Sequence, residues 1–457
     1  MPKTLDTDYL IIGAGAMGMA FADELITQSK DARIILVDRR AQPGGHWVNA
    51  YPFVTLHQPA IYYGVNSEKL ATDLHDLASG SRIVAYYQKV MDKLCATGRV
   101  RFLSECDSTG QGHVQSLTDP EVSYQITVHQ KTVDATYSRV EVPSTHPPQY
   151  KVADEVSLVP INGLADLKQT WSRFVIIGAG KTGMDALLYL LEQGVAPERL
   201  TWIISNDVWF IPRENAYPEV QATQMRAQLP FLVKCRDTAT LYAHFEALGW
   251  ITRLNPEIEP TRFRCATVSK PEIAALKALP NKVRLGRVQR IEPTEIVLDS
   301  GTIPTGPDVL HVDCTACGLV ARPPRPIFAG ETITLQPVML CQPTFSAALI
   351  ALVEARCADD AAKNRHCTPV PHPEYPHDLV VRTADSFANT LTWLRPFSWW
   401  LSNNRLSVTY HLSLIDKVRF MLLILRWLRR TTDNLKRIHN NEEEANSKES
   451  DSAHDTQ

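Results

Sequence analysis

The chain has 457 residues, 44% of them hydrophobic and 21% charged, which is the composition of a folded globular protein and excludes a largely disordered one. Lys and Arg number 47 against 50 Asp and Glu, so no excess of base exists to neutralise phosphate and a nucleic-acid partner is not expected. The nine cysteines, an odd number spread from Cys95 to Cys367, do not form the dense framework of a small secreted domain, and a reduced, cytoplasmic setting is expected.

Asp6 and Asp8 precede the apolar run Tyr9-Leu10-Ile11-Ile12, so a cleaved export signal is not expected. No run of about 18 apolar residues occurs, so no spanning helix is expected. The first run has strand length. Gly13-Ala14-Gly15-Ala16-Met17-Gly18 follows it, and then Met19, Phe21, Ala22, Leu25 and Ile26 repeat with helical period. Ile34-Ile35-Leu36-Val37 predicts a second strand, ending on Asp38, 20 residues after Gly18. Strand, glycine turn, helix, strand and acid together form a dinucleotide-binding pattern. Gly13 permits the tight turn, Gly15 lets a pyrophosphate approach the backbone, and Gly18 allows close helix–strand contact. The helix N-terminus offers unpaired N–H groups to the phosphates, and Asp38 can accept from a ribose diol.

Val100-Arg101-Phe102-Leu103 and residues 124–128 predict further strands leading to Val133-Asp134-Ala135-Thr136. The pattern then repeats. Phe174-Val175-Ile176-Ile177 precedes Gly178-Ala179-Gly180-Lys181-Thr182-Gly183, a helical stretch with Ala186, Leu187, Leu190 and Leu191, and the strand at 200–204. A phosphate-binding P-loop is excluded, because its first glycine would fall on Val175. Strands at 283–285, 288–291 and 295–298 lead to Val312-Asp313-Cys314-Thr315. Two glycine turns 165 residues apart in matched contexts mark an internal duplication.

Two dinucleotide sites imply a hydride donor and acceptor in contact, and FAD with a nicotinamide cofactor is the usual pair. Asp38 suits the free ribose hydroxyls of FAD. The equivalent position of the second copy is Ser205 or Asn206, with Asp207 beyond and Arg213 nearby, which favours NADP over NAD.

At Gly44-Gly45-His46-Trp47 the sequence resembles the class B flavin monooxygenases, which include N-hydroxylating, sulfur-oxidising and Baeyer–Villiger enzymes. The resemblance covers roughly residues 7–355, with Asp313-Cys314-Thr315-Ala316-Cys317-Gly318 where that family has an Ala-Thr-Gly strand. A Pro-rich crossover at 143–148 stands where the family passes between domains. One departure concerns the linker before the second glycine turn. Gly163 and Trp171 match its signature, while Ile161 stands for its Phe and Leu167 for its His. The resemblance implies an FAD-dependent, NAD(P)H-using oxidoreductase acting on a small organic substrate and molecular oxygen through a C4a-peroxyflavin. From the glycine pattern, the Gly-Gly-x-Trp segment and the candidate groups below, FAD contacts are expected at Gly13, Gly15, Gly18, Asp38, Gly45, Trp47, Gln58 and Gln342. For NAD(P) the contacts are Gly178, Gly180, Lys181, Thr182, Gly183, Ser205 and Arg213. His57 and Gln58, in the segment after Gly-Gly-x-Trp, are the candidate polar groups beside the flavin ring; a loop histidine bonded to backbone reads His57 equally well. Gln342-Pro343-Thr344 opens a helix whose N–H groups could stabilise reduced flavin, with capping by Thr344 as the alternative.

The expected fold is α/β. It has two Rossmann-like dinucleotide-binding domains, the second inserted in the first, and a helical C-terminal extension. The FAD-binding parts are residues 1–160 and 305–360. The NAD(P)-binding part is 161–304, with a helical insertion at about 214–270. A helical extension spans 361–439 and a disordered tail 440–457. Cys314 and Cys317 form a CxxC that reads as structural rather than as a redox dithiol, and no cysteine or histidine spacing suggests a metal site. Leu414, Val418, Met421, Leu425 and Leu428 fall on one helical face among Lys417, Arg419, Arg426, Arg429 and Arg430. That face is expected to pack on the protein's own core or a subunit partner, with a peripheral membrane contact through 410–430 as the alternative. Two other functions stay open: a flavin dehydrogenase or disulfide reductase using no oxygen, and a non-catalytic flavin-binding protein at a membrane surface.

Overall fold

In the computed structural model, which describes residues 2–316 and 318–454, two parallel sheets repeat one plan. In the first, Lys3–Ile12 lies between Ile34–Val37 and Ser123–Asp134, and Val100–Leu103 pairs beyond Ile34–Val37. In the second, Arg173–Ile177 lies between Leu200–Ile203 and Val309–Asp313, with Asn281–Val283 beyond Leu200–Ile203. Ile34–Val37 and Val309–Asp313 are buried at every residue, as parallel strands covered by helices on both faces must be. Helices α1 (Ala16–Gln28) and α2 (Gly80–Ala96) cover the first sheet, and α3 (Lys181–Glu192) follows the second glycine turn.

The duplication extends to single atoms. Ile12 pairs with Asp134 and Ile177 with Asp313, so both Val-Asp-x-Thr motifs stand at the same register beside a glycine turn. Asp134 Oδ1 accepts from the amide and hydroxyl of Thr136 at 2.8 and 2.7 Å. Asp313 Oδ1 accepts from those of Thr315 at 3.2 and 2.6 Å. Gly13 and Gly178 hold φ of +105° and +127°, which favour glycine.

The second unit carries α4 (Pro218–Leu232), α5 (Thr238–Ala247) and α6 (Lys270–Ala278). Its strand Arg262–Val268 pairs with Val208–Pro212 in a separate two-stranded sheet. The chain then returns: Thr332–Thr334 joins the first sheet beside Ser123–Asp134, and α7 (Pro343–Arg356) packs along α1. The second unit is therefore inserted in the first. Val309–Asp313 still belongs to the second sheet, so the boundary expected at 304 falls too early. A β-meander precedes the closing parallel strand in both copies, so the unit ends on that strand and not on the last turn of the meander.

Helices α8 (Asp360–His366), α9 (Pro376–Trp393), α10 (Ser398–Asn403) and α11 (Leu414–His454) complete the chain. The α10 region grips the first unit: Trp400 Nε1 donates to Glu24 at 2.7 Å, and buried Arg405 donates to the carbonyls of Ile61, Tyr63 and Val65. Residues 440–454, expected to be a disordered tail, continue α11. Glu442 there accepts from the amide and hydroxyl of Thr238 at 2.7 Å, giving the start of α5 an acidic partner.

The apolar stripe expected on one face of α11 is divided. Ile424, Leu428, Leu435 and Ile438 are buried, in cores shared with α4 and α9. Leu414, Ile415, Val418, Leu422 and Leu425 are 55–78% exposed. The helix presents apolar residues on two faces, and the protein covers one of them.

Candidate functional site

Both glycine turns leave space in front of a helix N-terminus. A Cβ added at Gly180 would meet nothing within 4 Å, and one at Gly15 would meet only the Cα of Gly45, at 3.6 Å. A Cβ at Gly18 or Gly183 would instead overlap the carbonyl oxygen of Gly13 or Gly178. The middle glycines thus open a cradle and the third ones close the helix onto the strand. Neither α1 nor α3 has a side chain capping its first turn, so the leading N–H groups point at that space.

Asp38, 7% exposed, ends the second strand. Its Oδ2 accepts from the Ala14 amide at 2.7 Å and its Oδ1 from the Arg40 amide at 2.8 Å, which ties the acid to the turn. Gly44 and Gly45 have φ of +126° and +61°, and Gly44 N donates to Ala14 O at 2.9 Å, so the Gly-Gly-x-Trp segment lies against the first glycine turn. The Trp47 indole donates to the Tyr63 hydroxyl at 2.7 Å.

The segment following Trp47 meets the second unit. The Tyr51 hydroxyl donates to Asp185 Oδ2 at 2.6 Å, and Asp185 Oδ1 pairs with Lys181. Burial, then the Asp185 charge, holds the Tyr51 phenol well above its usual range, so it stays a donor. His57 Nδ1 lies 2.9 Å from the Thr267 hydroxyl, which donates to the His57 carbonyl; Arg213 Nε donates to that carbonyl at 3.0 Å. Burial, and then Lys181 and Arg213, push the His57 ring down to about 3, so it is neutral at ordinary pH. Among the described residues Gln58 makes no hydrogen bond through its amide. Gln342 stands at the N-cap of α7 without a capping bond, and buried Thr344 directs its hydroxyl to the Tyr62 carbonyl at 3.5 Å rather than capping.

The second glycine-turn unit differs from the sequence expectation at Arg213. That residue is 5% exposed, and its Nη2 reaches both oxygens of Glu272 at 2.7 and 3.1 Å, so it is a buried tie inside the chain rather than a guanidinium offered to a 2′-phosphate. Burial would raise the Glu272 carboxyl, but the Ser269 amide, Arg213 and Lys181 outweigh it and hold the group below its usual range. The guanidinium beside Ser205 is Arg284, which pairs with both oxygens of Asp207 at 2.8 and 3.0 Å. Sequence alone gave no signal for Arg284, because it enters from the neighbouring strand. Ser205 accepts from Asn206 at 3.4 Å, and Leu167, at the linker position where the family has His, packs against the second core.

Cys314 is buried, and burial followed by Asp313 and Asp185 pushes its thiol up, which suits a structural residue; Cys317 lies outside the described residues. A different pair is joined. Cys265 and Cys341, 76 residues apart, form a disulfide, and a ring nitrogen of His372 lies within 4.8 Å of both sulfurs. This corrects the expectation of nine reduced cysteines, since an odd total does not preclude one pair. The pairing depends on contacts that no local spacing betrays.

The family model of an NAD(P)-binding Rossmann-like domain matches residues 11–66. Uncharacterized proteins of Mycobacterium tuberculosis and Mycobacterium bovis are each 45% identical to this chain over 424 residues, 89% of this chain and 78% of the relative. Among solved structures, OTEMO in complex with FAD and NADP superposes with a TM-score of 0.51 at 16% identity, covering 79% of this chain and 90% of that one. Cyclohexanone-bound cyclohexanone monooxygenase in its rotated conformation gives 0.50 at 13%, covering 77% and 87%. Among the described residues no helix is long and apolar enough to cross a membrane. The chain belongs to the family of these mycobacterial proteins, and its fold is that of the class B flavin monooxygenases.

Proposed function

We propose that the protein is an FAD-dependent, NAD(P)H-using oxidoreductase, a monooxygenase acting on a small organic substrate. The carrying observation is the atom-for-atom repetition of the glycine turn, helix start and Asp-x-Thr turn in two inserted units. OTEMO, whose fold this chain resembles, is solved in complex with FAD and NADP. The residues present fit such groups: a phosphate can approach Gly15 and Gly180 without meeting a side chain, and the helix amides stand behind them.

When bound, the flavin supplies two-electron chemistry with the nicotinamide and with oxygen. The chain's part is placement. Ala14 and Arg40 amides hold the Asp38 carboxylate for a ribose diol. The Tyr51–Asp185–Lys181 contact fixes the first unit against the helix start of the second. Neutral His57, anchored through its carbonyl by Arg213 and Thr267, presents an uncharged ring beside the cleft. NADPH is favoured over NADH because Arg284 neutralises Asp207, a carboxylate two residues from Ser205 that would repel a 2′-phosphate. The exposed stripe of α11, bordered by exposed Arg419, Arg426, Arg429 and Arg430, is assigned to an anionic membrane surface.

The test is direct. Purified protein takes up FAD and is yellow, NADPH bleaches it anaerobically, and oxygen restores the colour. A folded protein that refuses FAD overturns the reading. Bleaching by NADPH without oxygen uptake leaves a flavin dehydrogenase and removes the monooxygenase.

A further inference from the structure

We infer that Cys265 and Cys341 form a redox-active disulfide, a second two-electron centre beside the dinucleotide cleft, with Cys341 as the sulfur that exchanges with an external small-molecule disulfide. The inference rests on the FAD and NADPH reading above.

Position is the first ground. The pair joins the two segments that line the proposed flavin side. Cys265 lies on Arg262–Val268, at the point where its pairing with Val208–Pro212 shifts register, and Thr267, two residues on, holds His57. Cys341 directly precedes Gln342 at the head of α7. His372, from the Pro-rich connection, closes the group. Three chain segments remote in sequence thus bring two sulfurs and an imidazole together at the margin of the core shared by the insertion and the C-terminal helices, one or two residues from Gln342 and Thr267.

The second ground is the local backbone. Cys265 and Cys341 both hold left-handed φ, +51° and +54°, which residues with a Cβ adopt at a cost and retain where the surroundings impose it. The third is an unused polar atom: His372 Nδ1 is buried and has no hydrogen-bond partner among the described residues. Beside a reduced pair it can receive or return a thiol proton. Cys265 is 7% exposed while Cys341 is more open, which makes Cys341 the sulfur an incoming disulfide can reach.

The step balances. The S–S bond breaks and two S–H bonds form, with two electrons and one proton from the anionic reduced flavin that hydride transfer from NADPH regenerates and the second proton from solvent. An external disulfide R–S–S–R then takes the electron pair through exchange at Cys341, releasing two R–SH and restoring the Cys265–Cys341 bond.

Full-length, FAD-loaded protein is titrated anaerobically with NADPH, quenched in acid, unfolded, and its thiols are counted. Wild type is expected to take up two electrons for the flavin and two more for the disulfide, and to gain two thiols. Cystine added before the quench returns the count to its starting value. C341S and the double variant C265S/C341S take up two electrons and gain no thiol. A wild-type flavin that bleaches while the thiol count stays constant makes the bridge a static tether and overturns the inference, with the FAD reading intact. A thiol gain that cystine does not reverse removes the exchange role of Cys341. A protein that never binds flavin defeats both readings, and colour distinguishes that failure from the others without any variant.

Discussion

Replacing Arg213 by methionine probes how the second unit holds the cleft. The Arg213 side chain is 6% exposed and that of Glu272 26%; their contacts at 2.7 and 3.1 Å leave little room for water. Removing one partner of a fully buried pair costs about 3–5 kcal/mol, because a charge is left uncompensated. Here Glu272 keeps some solvent and the Ser269 amide, and the His57 carbonyl keeps the Thr267 hydroxyl, so the expected cost lies near the lower bound, about 3 kcal/mol. Urea unfolding followed through the fully buried Trp202 and Trp209 reads the relevant cores directly. The double variant R213M/E272Q should recover part of the loss, since no charge then stays buried alone. The pH dependence has a definite sign. Glu272 is depressed in the folded state, so the stabilisation is complete above its usual value of 4.5 and is lost as pH falls through the lower folded value. The gap between wild type and R213M should therefore narrow from pH 6 to pH 3. A cost below about 1 kcal/mol at pH 7, or a gap that does not narrow in acid, refutes a buried, charged pair.

Three further outcomes follow from the same geometry. G18A places a methyl on the Gly13 carbonyl and should abolish FAD binding, while G183A does the same at Gly178 and should abolish NADPH reduction of a flavin that still binds; flavin absorbance separates the two, and equal loss in both variants contradicts two distinct sites. R284A frees the Asp207 charge near Ser205 and should raise KM for NADPH by about tenfold or more with little change for NADH, about 1.4 kcal/mol of repulsion being tenfold in affinity; parallel changes for both cofactors would place the 2′-phosphate elsewhere. L422E/L425E should lower affinity for phosphatidylglycerol vesicles by at least about tenfold while leaving phosphatidylcholine vesicles unbound. Wild type that ignores both vesicles, or a dimer that the substitutions dissolve, removes the membrane assignment.

Local sequence was enough for the two glycine turns, the acid after the first and the Asp-x-Thr motifs, because each works through backbone geometry set within a few residues. Gly18 and Gly183 are recognisable by type since only a residue without Cβ fits beneath the preceding turn. The insertion of one unit in the other was legible too, because the same run of elements occurs twice in order. Side-chain partners were not. Arg213 looked free in the sequence and is bound to Glu272, 59 residues on, while Arg284 reaches Asp207 from an adjacent strand. The faces of α11 also escaped periodicity, which reports that a stripe is apolar and not what covers it.

The disulfide shows the division most clearly. Cys265 and Cys341 carry no motif, and their meeting depends on how the insertion, the turn before α7 and the His372 loop pack. Sequence by itself determined where backbone can approach a phosphate, since that requirement is local and steric. Tertiary structure alone decided which charges are neutralised, which apolar face is left bare and which sulfurs meet, since each depends on groups that distant parts of the chain bring within a few ångströms.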